Sequence, residues 1–198
     1  AIFKGPALND DIPTNIKYDT NGNTLITGYT DVDKSVSINN DIFIVQYSNT
    51  GTELIKQTFN GSGNYNDEGM EVLPLNNGSL IVVGSATNAS NQTEAIGLIY
   101  KGNSAATMQI TYNGIGDNSD NIRGIATDFD GNIYFCGYTV NKDQSRDFTY
   151  GKLNPNGTML WKKDTTGTLF GSDEEANSIA IDSNGNLIVS GYLKNSGT

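Results

Sequence analysis

The chain has 198 residues and a formal net charge of −10, from 22 acidic against 12 basic side chains. That length is enough for one large domain with a core. The charge argues against nucleic acid, whose phosphates demand a basic face, and against anionic membranes.

Chemistry is bounded as well. The single cysteine, Cys136, excludes an intramolecular disulfide and a four-cysteine zinc site. The absence of histidine removes the Ser-His-Asp triad and every imidazole metal ligand. No apolar run reaches membrane-spanning length, and Ala1 opens no signal-peptide pattern. Abundant Gly, Asn, Thr, Ser and Tyr suit short strands joined by tight turns, and no window keeps a helical period.

In chain order, "IFKG" (2–5) aligns with "TFNG" (58–61) and reads as the end of a strand. A first unit spans 11–61, with "DTNGNTLITGYT" at 19–30 and "DIFIVQYSNTGTELIKQTFNG" at 41–61. A second spans 67–114, with "LNNGSLIVVGSA" at 75–86 and "EAIGLIYKGNSAATMQITYNG" at 94–114, where the second turn is degraded. The third, 120–167, predicts strands near 121–128, 132–139, 147–153 and 158–166, around "DFDGNIYFCGYT" (128–139) and "DFTYGKLNPNGTMLWKKDTTG" (147–167). Half of a fourth unit, 174–198, carries "DSNGNLIVSGYL" at 182–193. The Asp/Asn-Gly pairs between apolar runs predict type I′ hairpins.

Several markers keep one register. The turn glycines Gly22, Gly78, Gly131 and Gly185 are separated by 56, 53 and 54 residues. Gly28, Gly84, Gly137 and Gly191 keep the same separations, as do Ile16, Val72, Ile125 and Ile179. Gly61, Gly114 and Gly167 recur every 53 residues. The second strand of each unit is apolar on consecutive positions, as at Leu80–Val83 and Ile133–Cys136, so it is covered on both faces. Four strands per repeat predict an all-β fold, a β-propeller of four-stranded antiparallel blades with about three and a half blades present. A β-sandwich is the runner-up.

The stretches "DNIRGIATDFDGNIYFCGYT" with "DFTYGKLNPNGTMLW", and "EEANSIAIDSNGNLIVSGY", resemble the bacterial β-propeller repeat called the SBBP repeat. Pro74 and Leu75 depart from its pattern in the second unit, which also lacks the Asn-Pro-x-Gly turn. The resemblance implies a secreted or cell-surface bacterial protein and brings no catalytic residues. A partial ring has three completions: a longer propeller, a four-bladed ring whose last blade takes the strand at 2–5, or two copies sharing one ring.

Candidate chemistry falls into columns. Asp128, Asp130 and Asn132 look like the start of a calcium loop, but strand follows at once. Their equivalents Asp19, Asn21, Asn23 and Asp182, Asn184, Asn186 lie on the same hairpin, which favours a turn over calcium. No cofactor is expected. Cys136 shares a small-residue column with Thr27, Val83 and Ser190 and reads as a buried, inert thiol. Ile55, Met108 and Trp161 read as blade packing. Tyr29, Tyr138 and Tyr192 read as closing the second strand against a neighbouring blade.

Two acidic columns stand out. Asp11, Asp67, Asp120 and Glu174 each precede the first-strand Ile or Val by five residues, and Asp41, Glu94 and Asp147 each open a third strand. In an up-and-down blade both columns share one face with the loops 30–40, 86–93, 139–146, 61–67, 114–120 and 167–173. They either accept backbone N–H groups at loop corners or bind a cation, a basic partner or a polar ligand.

The expectation is a non-catalytic extracellular or cell-surface β-propeller repeat module with a structural role or a protein- or ligand-binding role through this acidic face, the partner being a protein or glycan. The alternatives are a carboxylate-based glycan-active enzyme and a calcium-stabilised propeller. An active site should break the repeat, and these acids keep it. Other domains of a longer chain or a second copy are further partners. Nucleic acid and membrane insertion are not expected.

Overall fold

In the computed structural model the described residues are 10–31, 39–116 and 119–196. The expected strand at 2–5 and most of the connection 30–40 lie outside them. Every regular element among the described residues is a β-strand. Strands β1 (Asp11–Tyr18), β2 (Thr24–Asp31), β3 (Asn40–Tyr47) and β4 (Glu53–Phe59) form one antiparallel sheet in sequence order. A second sheet repeats this with β5 (Glu68–Pro74), β6 (Leu80–Thr87), β7 (Thr93–Tyr100) and β8 (Met108–Tyr112). A third repeats it with β9 (Asn121–Thr127), β10 (Ile133–Val140), β11 (Arg146–Leu153) and β12 (Met159–Thr165). Last come β13 (Glu175–Ile181) and β14 (Leu187–Tyr192), paired with each other.

The first hairpin of each unit is made by a side chain. Asp19 accepts the backbone N–H of Asn21 and of Asn23 on Oδ1 at 2.9 and 2.8 Å. Asp182 does the same for Asn184 and Asn186, both at 2.8 Å. Gly22, Gly131 and Gly185 have φ of 75°, 80° and 81°, and the residues before them have no positive φ. The turns are therefore type I followed by a left-handed glycine, not the type I′ that Asn-Gly suggested, because the Asp side chain holds the two central residues in the right-handed region. In the second unit Leu75 cannot accept, and Asn77 Oδ1 takes the Ser79 N–H instead at 2.9 Å.

The connections at 86–93 and 139–146, read from the sequence as loops, are tight turns over 88–92 and 141–145. They place Asn91 (φ 61°) and Gln144 (φ 68°) where the first hairpins use glycine.

The sheets stack face to face. All eight residues of β6 are buried, and its side chains alternate between two cores. Leu80 and Val82 join Leu25, Ile42, Ile44, Ile96 and Leu98 between the first and second sheets. Ile81 and Val83 join Ile99, Ile122, Ile125 and Phe135 between the second and third. The third junction has a smaller buried cluster of Cys136, Ala176 and Ile179. The first strands β1, β5, β9 and β13 of successive sheets lie side by side.

Each first strand carries a bulge that skips Thr14, Met70, Arg123 and Asn177 in turn. The bulge presses a carbonyl oxygen onto the partner strand. A Cβ added to Gly28, Gly84, Gly137 or Gly191 would lie within 2.0 Å of the carbonyl oxygen of Ile12, Glu68, Asn121 or Glu175. Gly84→Ala is therefore expected to lose about 3 kcal/mol in denaturant unfolding, the upper end of overpacking costs. Gln144→Gly is expected to gain about 0.5–1 kcal/mol by relieving a left-handed backbone.

Candidate functional site: paired carboxylates at the sheet junctions

The stacking brings the two acidic columns together, but across units. The Asp67 N–H donates to the Asn40 carbonyl at 2.7 Å, that of Asp120 to Thr93 at 2.9 Å, and that of Glu174 to Arg146 at 2.9 Å. The start of each first strand is thus pinned to the start of the preceding sheet's third strand. Asp41 consequently feels the charge of Asp67, Asp120 that of Glu94, and Asp147 that of Glu174. There is one such pair at each described junction.

Asp67 and Asp120 are fully buried. Asp67 accepts the N–H of Gly61 on Oδ2 and that of Thr87 on Oδ1, the latter at 2.8 Å. Asp120 accepts Gly114 N–H at 2.6 Å and Val140 N–H at 2.7 Å. Each carboxylate ties the end of the preceding fourth strand to the end of its own second strand. Glu174 is also buried and accepts the Ser172 hydroxyl. Asp11, half-buried, accepts the Thr30 hydroxyl at 2.6 Å. Glu94 and Asp147 accept the side-chain amides of Asn88 (2.6 Å) and Asn141 (3.0 Å), which brace the tight turns. Asp41 is buried, and its Oδ1 has no hydrogen-bond donor among the described residues.

Burial pushes the Asp41 carboxyl up to about 7, with the Asp67 charge adding to it. Burial also raises Asp67 and Asp120 to about 6, outweighing the backbone N–H groups that favour their anions. Asp147 is raised by burial too. The cleft beside Glu94 holds about 20 Å³, room for a single water, whereas the cleft bordered by Glu174 holds about 320 Å³. Chemically the pairs can hold protons and fix corners.

Other candidates fall into similar roles. Asp128 accepts the Asn132 N–H and side-chain amide, both at 2.8 Å, and faces Lys152 Nζ at 3.3 Å. Asp130 is exposed at the turn tip. Among the described residues no group of three acidic, Cys or His side chains is placed to hold a metal ion. Cys136 is fully buried, and burial pushes its thiol up to about 12.

One constellation was not anticipated. The chain's only two arginines, Arg123 and Arg146, both pair with Glu175, Arg123 at 3.1 Å. Both guanidinium groups lie over the Tyr138 ring, at 5.3 and 4.4 Å from its centroid. This polar clasp spans the junction with the smallest apolar cluster. The signal for it is departure from the repeat: Arg123 stands where Thr14, Met70 and Asn177 do, and Arg146 where Asn40 and Thr93 do.

A family model described as the SBBP beta-propeller repeat matches residues 110–143, from β8 through β10 into the following turn. No curated protein matches the chain.

The raised carboxyls fix the sign of a pH effect. In the unfolded chain an Asp titrates near about 3.9. A folded value above that favours the folded state while the group is protonated, and the advantage is lost as pH rises through 6 and 7. The melting temperature is expected to be higher at pH 5 than at pH 8 by calorimetry. Asp41→Asn should raise it at pH 8 by removing a buried charge. Asp67→Asn should lower stability at both pH values by about 1–3 kcal/mol, because an amide cannot accept both backbone N–H groups.

Proposed function

We propose that this chain is a non-catalytic β-propeller repeat module, displayed outside the cell or on its surface. Its stacked sheets hold out a loop face that binds a protein or glycan partner. The observation that carries this reading is the use made of the paired carboxylates. Asp67 and Asp120 do the same job at successive junctions, buried and bound by backbone amides. A catalytic pair needs solvent access and a role that differs from its repeats.

On the same side of the sheets the repeat breaks at exposed apolar side chains. Tyr65, Ile115 and Phe170 stand out on successive connections, Phe170 with 91% of its surface exposed. Ile115 borders a cleft of about 320 Å³ with Asn141, Lys142 and Asp143. Unlike neighbours on a rigid frame are where recognition concentrates. Closure of the sheets into a ring belongs to the same proposal, supported by the side-by-side first strands. The extracellular bacterial setting rests on the likeness to the SBBP repeat.

The test is a hydrolysis screen on a panel of glycans. The module should show no turnover above buffer. Turnover that Asp120→Asn abolishes, in a variant that still melts cooperatively, would overturn the proposal. Calcium is tested separately: the melting temperature should be the same in excess calcium and in excess EDTA.

A further inference from the structure

Among the junction carboxylates, Glu174 departs from the repeat. Asp67 and Asp120 each hold two backbone N–H groups, those of Gly61 and Thr87 and those of Gly114 and Val140. The counterparts at the third junction, Gly167 and Lys194, are both among the described residues. Yet within that described set Glu174 accepts a single hydrogen bond, on Oε1 from the Ser172 hydroxyl. No donor there reaches its other oxygen, although only 1% of the residue is exposed. A buried carboxylate oxygen without a donor is costly unless a ligand supplies one.

The sequence carries the cause. Glu174 follows Gly167 by seven residues, where Asp67 and Asp120 follow Gly61 and Gly114 by six. The longer connection makes a turn of its own, in which the Ser172 N–H donates to the Leu169 carbonyl at 3.3 Å and Gly171 has a φ of 70°. Between this connection and the turn over 141–145 lies the cleft of about 320 Å³, and Glu174 lines it. Both walls join strands that are present on either side. Lys194 and Asn195 hold the connection in place, accepting the N–H groups of Leu169 at 3.3 Å and Thr168 at 3.1 Å.

The lining selects a cation. Asp143 is its second carboxylate, kept below the usual range by the hydroxyl and N–H of Ser145. None of the residues lining the cleft is basic, and Phe170 stands exposed at its border. A carboxylate beside an aromatic ring suits a guanidinium, which donates in its plane and stacks on its face. The net charge of −10 favours approach of such a partner.

Resting on the reading of the chain as a binding module, we propose that this cleft takes an arginine side chain of a partner protein. The guanidinium donates to the open oxygen of Glu174, with Asp143 adding its charge and Phe170 its ring.

The probe is Nα-acetyl-arginine methylamide, titrated into the intact chain and followed by amide NMR shifts. The amides of Asp143, Ser145 and Phe170–Ser172 should shift in a saturable way. The citrulline analogue, which has the same shape and no charge, should not shift them. Glu174→Gln keeps an acceptor for Ser172 and should weaken binding about tenfold or more, as loss of a charged hydrogen bond does. Asp143→Asn should weaken it as well. Asp130→Asn, at an exposed hairpin tip on the opposite side of the sheet, should leave it unchanged. Absence of a saturable shift, equal binding of the citrulline analogue, or binding undiminished in Glu174→Gln would overturn the proposal. So would an equal loss in Asp130→Asn, because net charge alone would then be the attraction. If Glu174→Gln does not melt cooperatively, Asp143→Asn, at an exposed position, decides by the same criterion. Turnover in the glycan screen would end the non-catalytic reading and leave this site to the titration.

Discussion

Each inner sheet of this protein has to bury two faces at once, and the rest of the architecture follows from that demand. β6 shows the demand in full: eight consecutive buried residues, with Leu80 and Val82 facing one neighbour and Ile81 and Val83 the other. A strand of this kind has no solvent side, so the sheet is stable only between two others. Close stacking then leaves little room at the strand ends. The backbone polar groups there are taken out of water and must find partners within the protein.

The carboxylate columns meet that need. Asp67 and Asp120 each satisfy two buried N–H groups with two oxygens, and their own N–H groups reach back to the preceding sheet. Burial makes the charge costly, which is why the same groups carry raised proton affinities. The third junction uses different means. With only Cys136, Ala176 and Ile179 in its buried cluster, it adds the Arg123–Glu175–Arg146 clasp over Tyr138. Gly124 stands at this junction where Glu71, one unit earlier, accepts the next first strand's N–H at Ile125. The contacts between units therefore vary more than the units themselves.

What the sequence made legible was whatever the backbone dictates residue by residue. Gly28, Gly84, Gly137 and Gly191 form a visible column because a carbonyl oxygen occupies the space of any Cβ. The alternating cores were legible in Leu80–Val83 for the same local reason. The carboxylates were visible as columns, yet their pairing was not. Asp41 and Asp67 belong to different sheets and meet only through stacking. The turn type was misread because Asn-Gly serves two turns, and Asp19, two residues before the Asn, decides between them. Gln144 gave no warning, since nothing in its side chain marks a left-handed backbone. The arginine clasp leaves no mark in the repeat, because Arg123 and Arg146 have no basic counterpart in the other units.

The claim that stacking on both faces holds the fold is tested most directly by native-state hydrogen exchange. Protection should be greatest in β6 and β7, which are covered on both sides, and least in β14, whose Ile188 and Tyr192 remain exposed. Uniform protection across the sheets, or amides in β14 exchanging as slowly as those in β6, would contradict the account.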